Sequence, residues 1–250
     1  MDDGYTTLGD AVPSAAELLS MWEQHGERHT IDAALGCLAL AAPIDPDELA
    51  NLPLGTRDAA LIRLRRAALG DLIIAIGTCP ACGLEVEAPV SCSELLGQAG
   101  GPPAPWTLEA AGIRLELRAL NSRDAAAAAS LPATAGAAEL LGRAVVAAEG
   151  GGAPIAARSL EPGVVAAVAA SLAGRDPLAE VTLELACPSC DHRWEELLDV
   201  APFVVEELAA EGRRILAEVD VLARAYGWRE HDILAMSDGR RRAYGALAAG

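Results

Sequence analysis

The sequence contains no lysine, very few aromatic residues and no long hydrophobic run. All 19 basic residues are arginine, and 36 aspartate and glutamate residues oppose them, so the formal net charge is −17. A chain this acidic repels a polyanion, and we therefore expect no binding of nucleic acid through phosphate neutralisation. The longest uncharged apolar runs, Ala33–Ile44 and Gly163–Gly174, have about 12 residues, whereas a bilayer span requires ~20. The sequence thus predicts neither a nucleic-acid-binding nor a membrane protein.

Signals of secretion and of catalysis are also missing. The first ten residues hold three aspartates and no basic residue, which is not the pattern of a secretory signal. The phosphate-binding and nucleophile motifs GxxxxGK[ST], GxGxxG and GxSxG do not occur. Because 52% of the residues are apolar, the chain can bury enough surface to fold. We expect a folded cytoplasmic protein that is not an enzyme and has no small-molecule substrate.

Four of the six cysteines form two CxxC pairs, each between two β-type runs. The first pair is Cys79 with Cys82, and the second is Cys187 with Cys190. Two such pairs in a chain without a visible export signal favour a reducing compartment and a bound metal. The flanking runs predict two β-hairpins, or knuckles, with strands at Asp71–Thr78, Leu84–Val90, Val181–Ala186 and Trp194–Leu198.

The two CxxC turns together supply the four thiolates of a tetrahedral zinc site. We predict one Zn²⁺ per chain, held by Cys79, Cys82, Cys187 and Cys190. Because 104 residues separate Cys82 from Cys187, the zinc would join the two halves of the chain and enclose the middle region. Two alternatives remain open, namely two separate redox-active CxxC motifs and unpaired knuckles at a dimer interface. Four thiolates leave no open position for water, which argues against zinc catalysis.

The backbone of the two turns is predicted to be similar. Gly83 follows the first CxxC pair, and Asp191 occupies the equivalent position after the second. Both residue types tolerate the positive φ that such a turn requires. Of the two cysteines left over, we expect Cys37 to be a small core residue of an apolar helix, and Cys92 lies close to the first knuckle.

Outside the knuckles the patterns are mainly helical. Ser14 and Glu17 form a capping box, a helix is expected from Thr56 to Gly70, and Gly227 ends a long amphipathic helix. The other expected elements are helices at Ile31–Ala42, Arg123–Ser130, Ala135–Ala148 and Pro162–Ala173 and a strand at Ile113–Leu117. On the long helix we expect one buried stripe, formed by Val204, Leu208, Ile215, Val219, Leu222 and Tyr226.

These elements predict an α+β fold that is mostly helical, with a split four-cysteine zinc ribbon formed by two β-hairpin knuckles and an inserted α/β middle region. We divide the chain into residues 1–97, with the N-terminal helices and first knuckle, and a linker at 98–106. The alanine-rich insertion follows at 107–180, and the second knuckle and C-terminal helices occupy 181–250.

Two arginine-rich regions are the positive features of this acidic chain and therefore candidate partner-binding surfaces. Aromatic and arginine side chains commonly anchor interfaces, although both regions could simply be solvated helix faces. The candidate residues are Arg57, Arg63 and Arg66 on the third helix, and Trp228, Arg240, Arg241 and Tyr244 near the C-terminus.

Several stretches together resemble the zinc-knuckle baseplate proteins of phage-tail-like contractile injection systems. That family is itself described by similarity to the baseplate hub assembly chaperones of T-even bacteriophages. The chain differs from the family at Leu69, where an aromatic residue is common, and at Asp191, where glycine is usual. The stretches that carry the resemblance are Leu18–Glu23 (LLSMWE), Leu52–Asp71 (LPLGTRDAALIRLRRAALGD), Asp176–Trp194 (DPLAEVTLELACPSCDHRW) and Ala225–Tyr244 (AYGWREHDILAMSDGRRRAY).

The resemblance implies an assembly factor or minor structural protein without catalysis, whose partners are baseplate or hub proteins. Two other classes remain as alternatives. A zinc-ribbon adaptor in transcription or RNA handling would need a basic, aromatic ribbon face, yet the knuckle strands carry Glu85, Glu87, Glu184, Glu195 and Glu196. A thiol oxidoreductase would need a reactive thiolate.

Overall fold

The computed structural model describes residues 7–26, 29–42 and 44–248, and these form a mixed α+β fold that is mostly helical. The first five helices are α1 (Ala15–His25), α2 (Thr30–Ala41), α3 (Pro46–Asn51), α4 (Leu54–Leu69) and α5 (Cys92–Leu96). The others are α6 (Ser122–Ala129), α7 (Ala133–Ala144), α8 (Pro162–Arg175), α9 (Val200–Tyr226), α10 (Glu230–Leu234) and α11 (Asp238–Ala248). The strands are β1 (Leu72–Thr78), β2 (Glu85–Ser91), β3 (Trp106–Ala110), β4 (Ile113–Leu117), β5 (Val145–Gly150), β6 (Ala153–Pro154), β7 (Val181–Ala186) and β8 (Arg193–Leu198).

The 27-residue helix α9 organises the main core, where it packs against α1, α2, α4 and α11. The expected stripe on α9 is buried from Val204 to Leu222. Tyr226 departs from this expectation, because it is 38% exposed at the end of the helix. Helices α1 and α9 approach closely at Gly212, where a Cβ atom would lie 2.5 Å from Cβ of Trp22 and 2.6 Å from the backbone oxygen of Leu18. Glycine at this position therefore sets the distance between α1 and α9.

Local signals fix the ends of most helices near their predicted positions. The capping box at Ser14 and Glu17 is formed, and Gly227 adopts a left-handed conformation (φ 67°) that ends α9. The helix with its expected N-cap at Thr56 has its N-cap three residues earlier, at Pro53, and begins at Leu54. The short helix α3 has no counterpart in the sequence prediction, although Asp45 caps it and Pro46 begins it.

The region enclosed by the two CxxC pairs has its own sheet and its own apolar core. Strands β3, β4, β5 and β6 form an antiparallel sheet in that order, and α8 packs on β3. The core of this region contains Trp106, Leu115, Leu117, Val145, Ala148, Leu160, Val164 and Val168. Trp106, which the sequence places in the linker, is the first residue of β3 and is buried.

One predicted helix is only partly correct. The helix expected over Ala135–Ala148 ends at Ala144, and the chain continues directly as β5. Val145 and Ala148 then pair with Leu117 and Leu115 of β4 and belong to the core of the inserted region. Alanine content indicated a helix here, but pairing with β4 and the β-branched Val145 and Val146 favour the strand.

Two separate two-stranded hairpins hold the CxxC pairs. β1 pairs with β2 from Leu72 opposite Ser91 to Thr78 opposite Glu85. β7 pairs with β8 from Val181 opposite Leu198 to Ala186 opposite Arg193. None of the helices in the described ranges is long and apolar enough to cross a membrane.

Candidate metal centre

Each CxxC pair lies at the tip of its hairpin, and the two turns have the same hydrogen bonds. Cys79 follows the last residue of β1, and its backbone N–H donates to the carbonyl oxygen of Leu84 at 2.8 Å. Cys187 follows the last residue of β7 and donates in the same way to His192 at 2.9 Å. The two tips are therefore equivalent structures, as the repeated sequence pattern suggests.

The residue after each second cysteine closes the turn. Gly83 donates its backbone N–H to the carbonyl of Cys79 at 2.9 Å, and Asp191 donates to Cys187 at 3.0 Å. Gly83 has a φ of 76° and Asp191 a φ of 57°, so both lie in the left-handed region. The prediction that Asp191 takes the conformation of Gly83 is confirmed.

The two tips bring the four predicted ligands together. The Sγ atoms of Cys79 and Cys190 are 3.7 Å apart, and those of Cys82 and Cys187 are 3.5 Å apart. All four sulfurs lie within 4.8 Å of one another, and the group can hold a metal ion. A tetrahedral Zn²⁺ with Zn–S bonds of about 2.3 Å would separate its ligands by about 3.8 Å. The donor set and its spacing therefore fit zinc.

The electrostatics of the cluster also favour a cation. Burial raises the pKa of Cys187, but the backbone N–H groups of Ser189 and Cys190 and the sulfurs of Cys82 and Cys190 together outweigh it and lower that pKa to about 7. The N–H of His192 lowers the pKa of Cys190, yet burial and the neighbouring sulfurs together raise it to about 12. Four thiolates at this spacing repel one another, so full deprotonation requires a positive ion among them.

Close packing of the two hairpins supports the cluster. Gly77 lies in β1 two residues before Cys79, and a Cβ atom there would be 2.5 Å from Cδ1 of Leu185 in β7. The same Cβ would be 3.5 Å from the ring of Trp194 in β8. Gly77 thus lets the second hairpin lie against the first. This residue is absent from the sequence predictions, although a glycine inside a strand pattern is the usual sign of such an approach.

The remaining cysteines lie outside the cluster. Cys37 is buried in α2, as predicted, and burial raises its pKa to about 12. Cys92 is fully buried at the start of α5, where its Sγ lies 3.9 Å from Nη1 of Arg65. Arg65 in turn binds both carboxylate oxygens of Glu207 on α9, at 2.8 and 3.1 Å. These contacts give Cys92 a place in the packing between α4, α5 and α9.

Arg57 is buried and does not belong to the exposed arginine surface expected on the third helix. Only 5% of Arg57 is exposed, and it donates to Asp58 at 2.7 Å and to Ser122 at 3.2 Å. Arg63 is half-buried, and Arg66 reaches Asp10 at 3.4 Å and Ser93 at 3.5 Å. The sequence pattern did not show that α4 is covered on the Arg57 side by the inserted region, which contributes Ser122.

The expected C-terminal surface needs one correction as well. Arg241 is only 4% exposed, because it donates to Glu218 of α9 at 3.0 Å and to the carbonyl of Met236 at 2.6 Å. Arg241 therefore attaches α11 to α9 and is not available to a partner.

The other C-terminal candidates do lie together at the surface. The rings of Trp228 and Tyr244 meet edge to face at 4.8 Å, and Tyr226 stacks on Trp228 at 4.5 Å. The guanidinium of Arg240 lies 5.7 Å from the centre of the Tyr244 ring. Arg240 is exposed, and Trp228 and Tyr244 are half-buried.

Known proteins provide no further assignment. Comparison of the chain with protein-family models, with characterised proteins and with solved structures finds no significant match.

Proposed function

We propose that the chain is a non-enzymatic protein that binds one zinc ion through Cys79, Cys82, Cys187 and Cys190. The observation that carries this proposal is the convergence of four sulfurs from two hairpin tips that lie more than 100 residues apart in the chain. When bound, zinc would neutralise the thiolates and cross-link the hairpins, and its binding energy would add to the folding energy. The protein would then present its other surfaces as parts of one rigid body.

The proposed role is that of an assembly factor or minor structural protein in the baseplate or hub of a phage-tail-like contractile injection system. The sequence resemblance of four stretches supports this role, and so does a site that joins distant parts of a chain instead of offering an open metal position. Exposed Arg240 lies beside the half-buried Trp228 and Tyr244, and this group has the composition of an interface anchor. An adaptor for nucleic acid is less favoured, because Glu85, Glu184 and Glu195 are exposed on the hairpin strands.

Co-expression with individual baseplate and hub subunits of a contractile tail tests this role. We expect the tagged chain to capture at least one such subunit. Arg240→Glu and Tyr244→Ala should weaken that capture, whereas Arg158→Glu makes the same charge change as Arg240→Glu at an exposed position of the inserted region and should leave it unchanged. Failure to capture any tail component would refute the baseplate role.

A further inference from the structure

A groove of about 810 Å³ separates the inserted region from the main body of the protein. Helices α6, α7 and α8 line one side of the groove. The first turns of α2, α4 and α9 and the end of β8 line the other. Its volume lies within the range of about 300–1,000 Å³ that is typical of ligand-binding pockets.

The walls of the groove are mainly aliphatic. Leu54, Leu120, Leu140 and Leu172 line it, together with several alanines. Leu197 near the end of β8 also lines it and is 60% exposed. These side chains offer a continuous apolar surface to an occupant.

Most of the charged groups that line the groove are acidic. Carboxyl groups of Asp58, Asp176, Glu180 and Asp199 line it, and Arg57 contributes a guanidinium. This guanidinium is already bound to Asp58 and Ser122. His29 also lines the groove, where its Nδ1 accepts the N–H of Ile31 at 3.3 Å. The groove therefore has an excess of negative charge on an apolar background.

Two of these residues, Asp58 and Asp176, are buried, and each carboxyl group accepts a hydrogen bond from the protein at one of its two oxygens. Arg57 donates to one oxygen of Asp58, and the backbone N–H of Gly55 donates to one oxygen of Asp176 at 3.0 Å. Within the described ranges, the second oxygen of each side chain accepts no hydrogen bond from the protein, and neither of these oxygens is fully buried, so both are open to the groove. Burial raises the pKa of Asp58 to about 6, and Asp199 and Asp176 add to that rise, although Arg57 opposes it. A cation in the groove would complete these interactions.

We propose that this groove binds a segment of a partner protein in which one lysine or arginine is flanked by leucine-like side chains. The cation would lie among the carboxylates of Asp58, Asp176 and Asp199, and the aliphatic side chains would cover Leu172 and Leu197. An acidic segment would be repelled, and a purely apolar one would bury the carboxylates without compensation. The inference deepens the proposed protein-binding function, on which it rests, by specifying the chemistry of the partner.

Synthetic peptides provide a direct test with the zinc-loaded full-length protein. The probe is a ten-residue leucine-rich peptide with one central arginine, and two matched peptides carry glutamate or norleucine at that position. Asp199→Asn removes one charge from the groove, and asparagine preserves the N-cap of α9, where the Asp199 side chain makes no capping hydrogen bond. Leu197→Ser removes an exposed apolar side chain, so it should not prevent folding. Glu116→Gln removes one charge from an exposed position of β4, which does not line the groove.

We expect the arginine peptide to bind, and Asp199→Asn and Leu197→Ser each to weaken it roughly five- to tenfold. Glu116→Gln should change binding by less than about twofold. The inference is overturned if all three variants weaken binding equally, if the glutamate or norleucine peptide binds as well as the arginine peptide, or if no peptide binds at about millimolar concentration. Capture of a tail subunit that persists in Asp199→Asn and Leu197→Ser would refute the groove alone and leave the proposed function standing.

Discussion

Gly77→Ala places a methyl group between the two hairpins without changing any of the four clustered cysteines. The new Cβ would lie 2.5 Å from Cδ1 of Leu185, whereas carbon atoms in contact are normally separated by about 3.5–4.0 Å. Leu185 is only 7% exposed and cannot simply turn into solvent. Either the Leu185 side chain repacks within its buried site or the second hairpin moves away from the first, and both changes disturb the packing beside the cysteine cluster.

The size of the effect follows from the cost of overpacking. An additional methyl group in a well-packed site typically costs about 1–3 kcal/mol. Zinc binding requires both hairpins in their packed arrangement, so this cost opposes metal binding. Because about 1.4 kcal/mol corresponds to a factor of ten, we expect the zinc affinity to fall roughly five- to 150-fold.

Competition with a chromophoric chelator measures this affinity directly. The matched control is Gly142→Ala in α7, where a Cβ atom meets nothing within 4 Å. This control should gain up to about 1 kcal/mol of helix stability and keep the zinc affinity of the original protein. Equal zinc affinities for Gly77→Ala and the original protein would refute the coupling between hairpin packing and metal binding.

Two further predictions concern other parts of the molecule. Gly212→Ala would bring a Cβ atom to 2.6 Å from the backbone oxygen of Leu18. Although alanine favours helix, we expect this clash to lower the free energy of unfolding, measured by chemical denaturation, by about 2 kcal/mol or more. An increase in that free energy would contradict the tight contact between α1 and α9. Burial raises the pKa of Asp58 from 3.8 to about 6, so its ionisation destabilises the folded protein increasingly as the pH rises from 4 to above 6. From pH 5 to pH 8, the free energy of unfolding of Asp58→Asn should therefore rise by about 1–2 kcal/mol relative to that of the original protein. If the difference between the two proteins does not change with pH, Asp58 does not titrate in this range.

The cluster of four cysteines was predictable because its signals are local. Two CxxC pairs, the flanking strand patterns and the glycine-like position of Asp191 all lie within a few residues of the cysteines. The same is true of the helix ends at Ser14 and Gly227, where a cap or a left-handed residue is fixed by short-range hydrogen bonds. Such features do not depend on which distant segment packs nearby.

The errors concern residues whose surroundings come from distant segments. Arg57 lies on a helix face whose charges are typical of a solvated surface, but the inserted region brings Ser122 against it. Arg241 lies in an Arg-Arg-Arg run that is also typical of a solvated helix, yet Glu218 of α9 binds it. The groove combines Asp58, Asp176 and Asp199, which lie far apart in the chain, and only tertiary structure brings them together.

Zinc-edge X-ray absorption of the purified protein tests the central claim most directly. If Cys79, Cys82, Cys187 and Cys190 hold one zinc ion, the spectrum should show four sulfur neighbours at about 2.3 Å and no lighter ligand. Nitrogen or oxygen atoms in the first coordination shell, or a folded protein that contains no zinc, would contradict it.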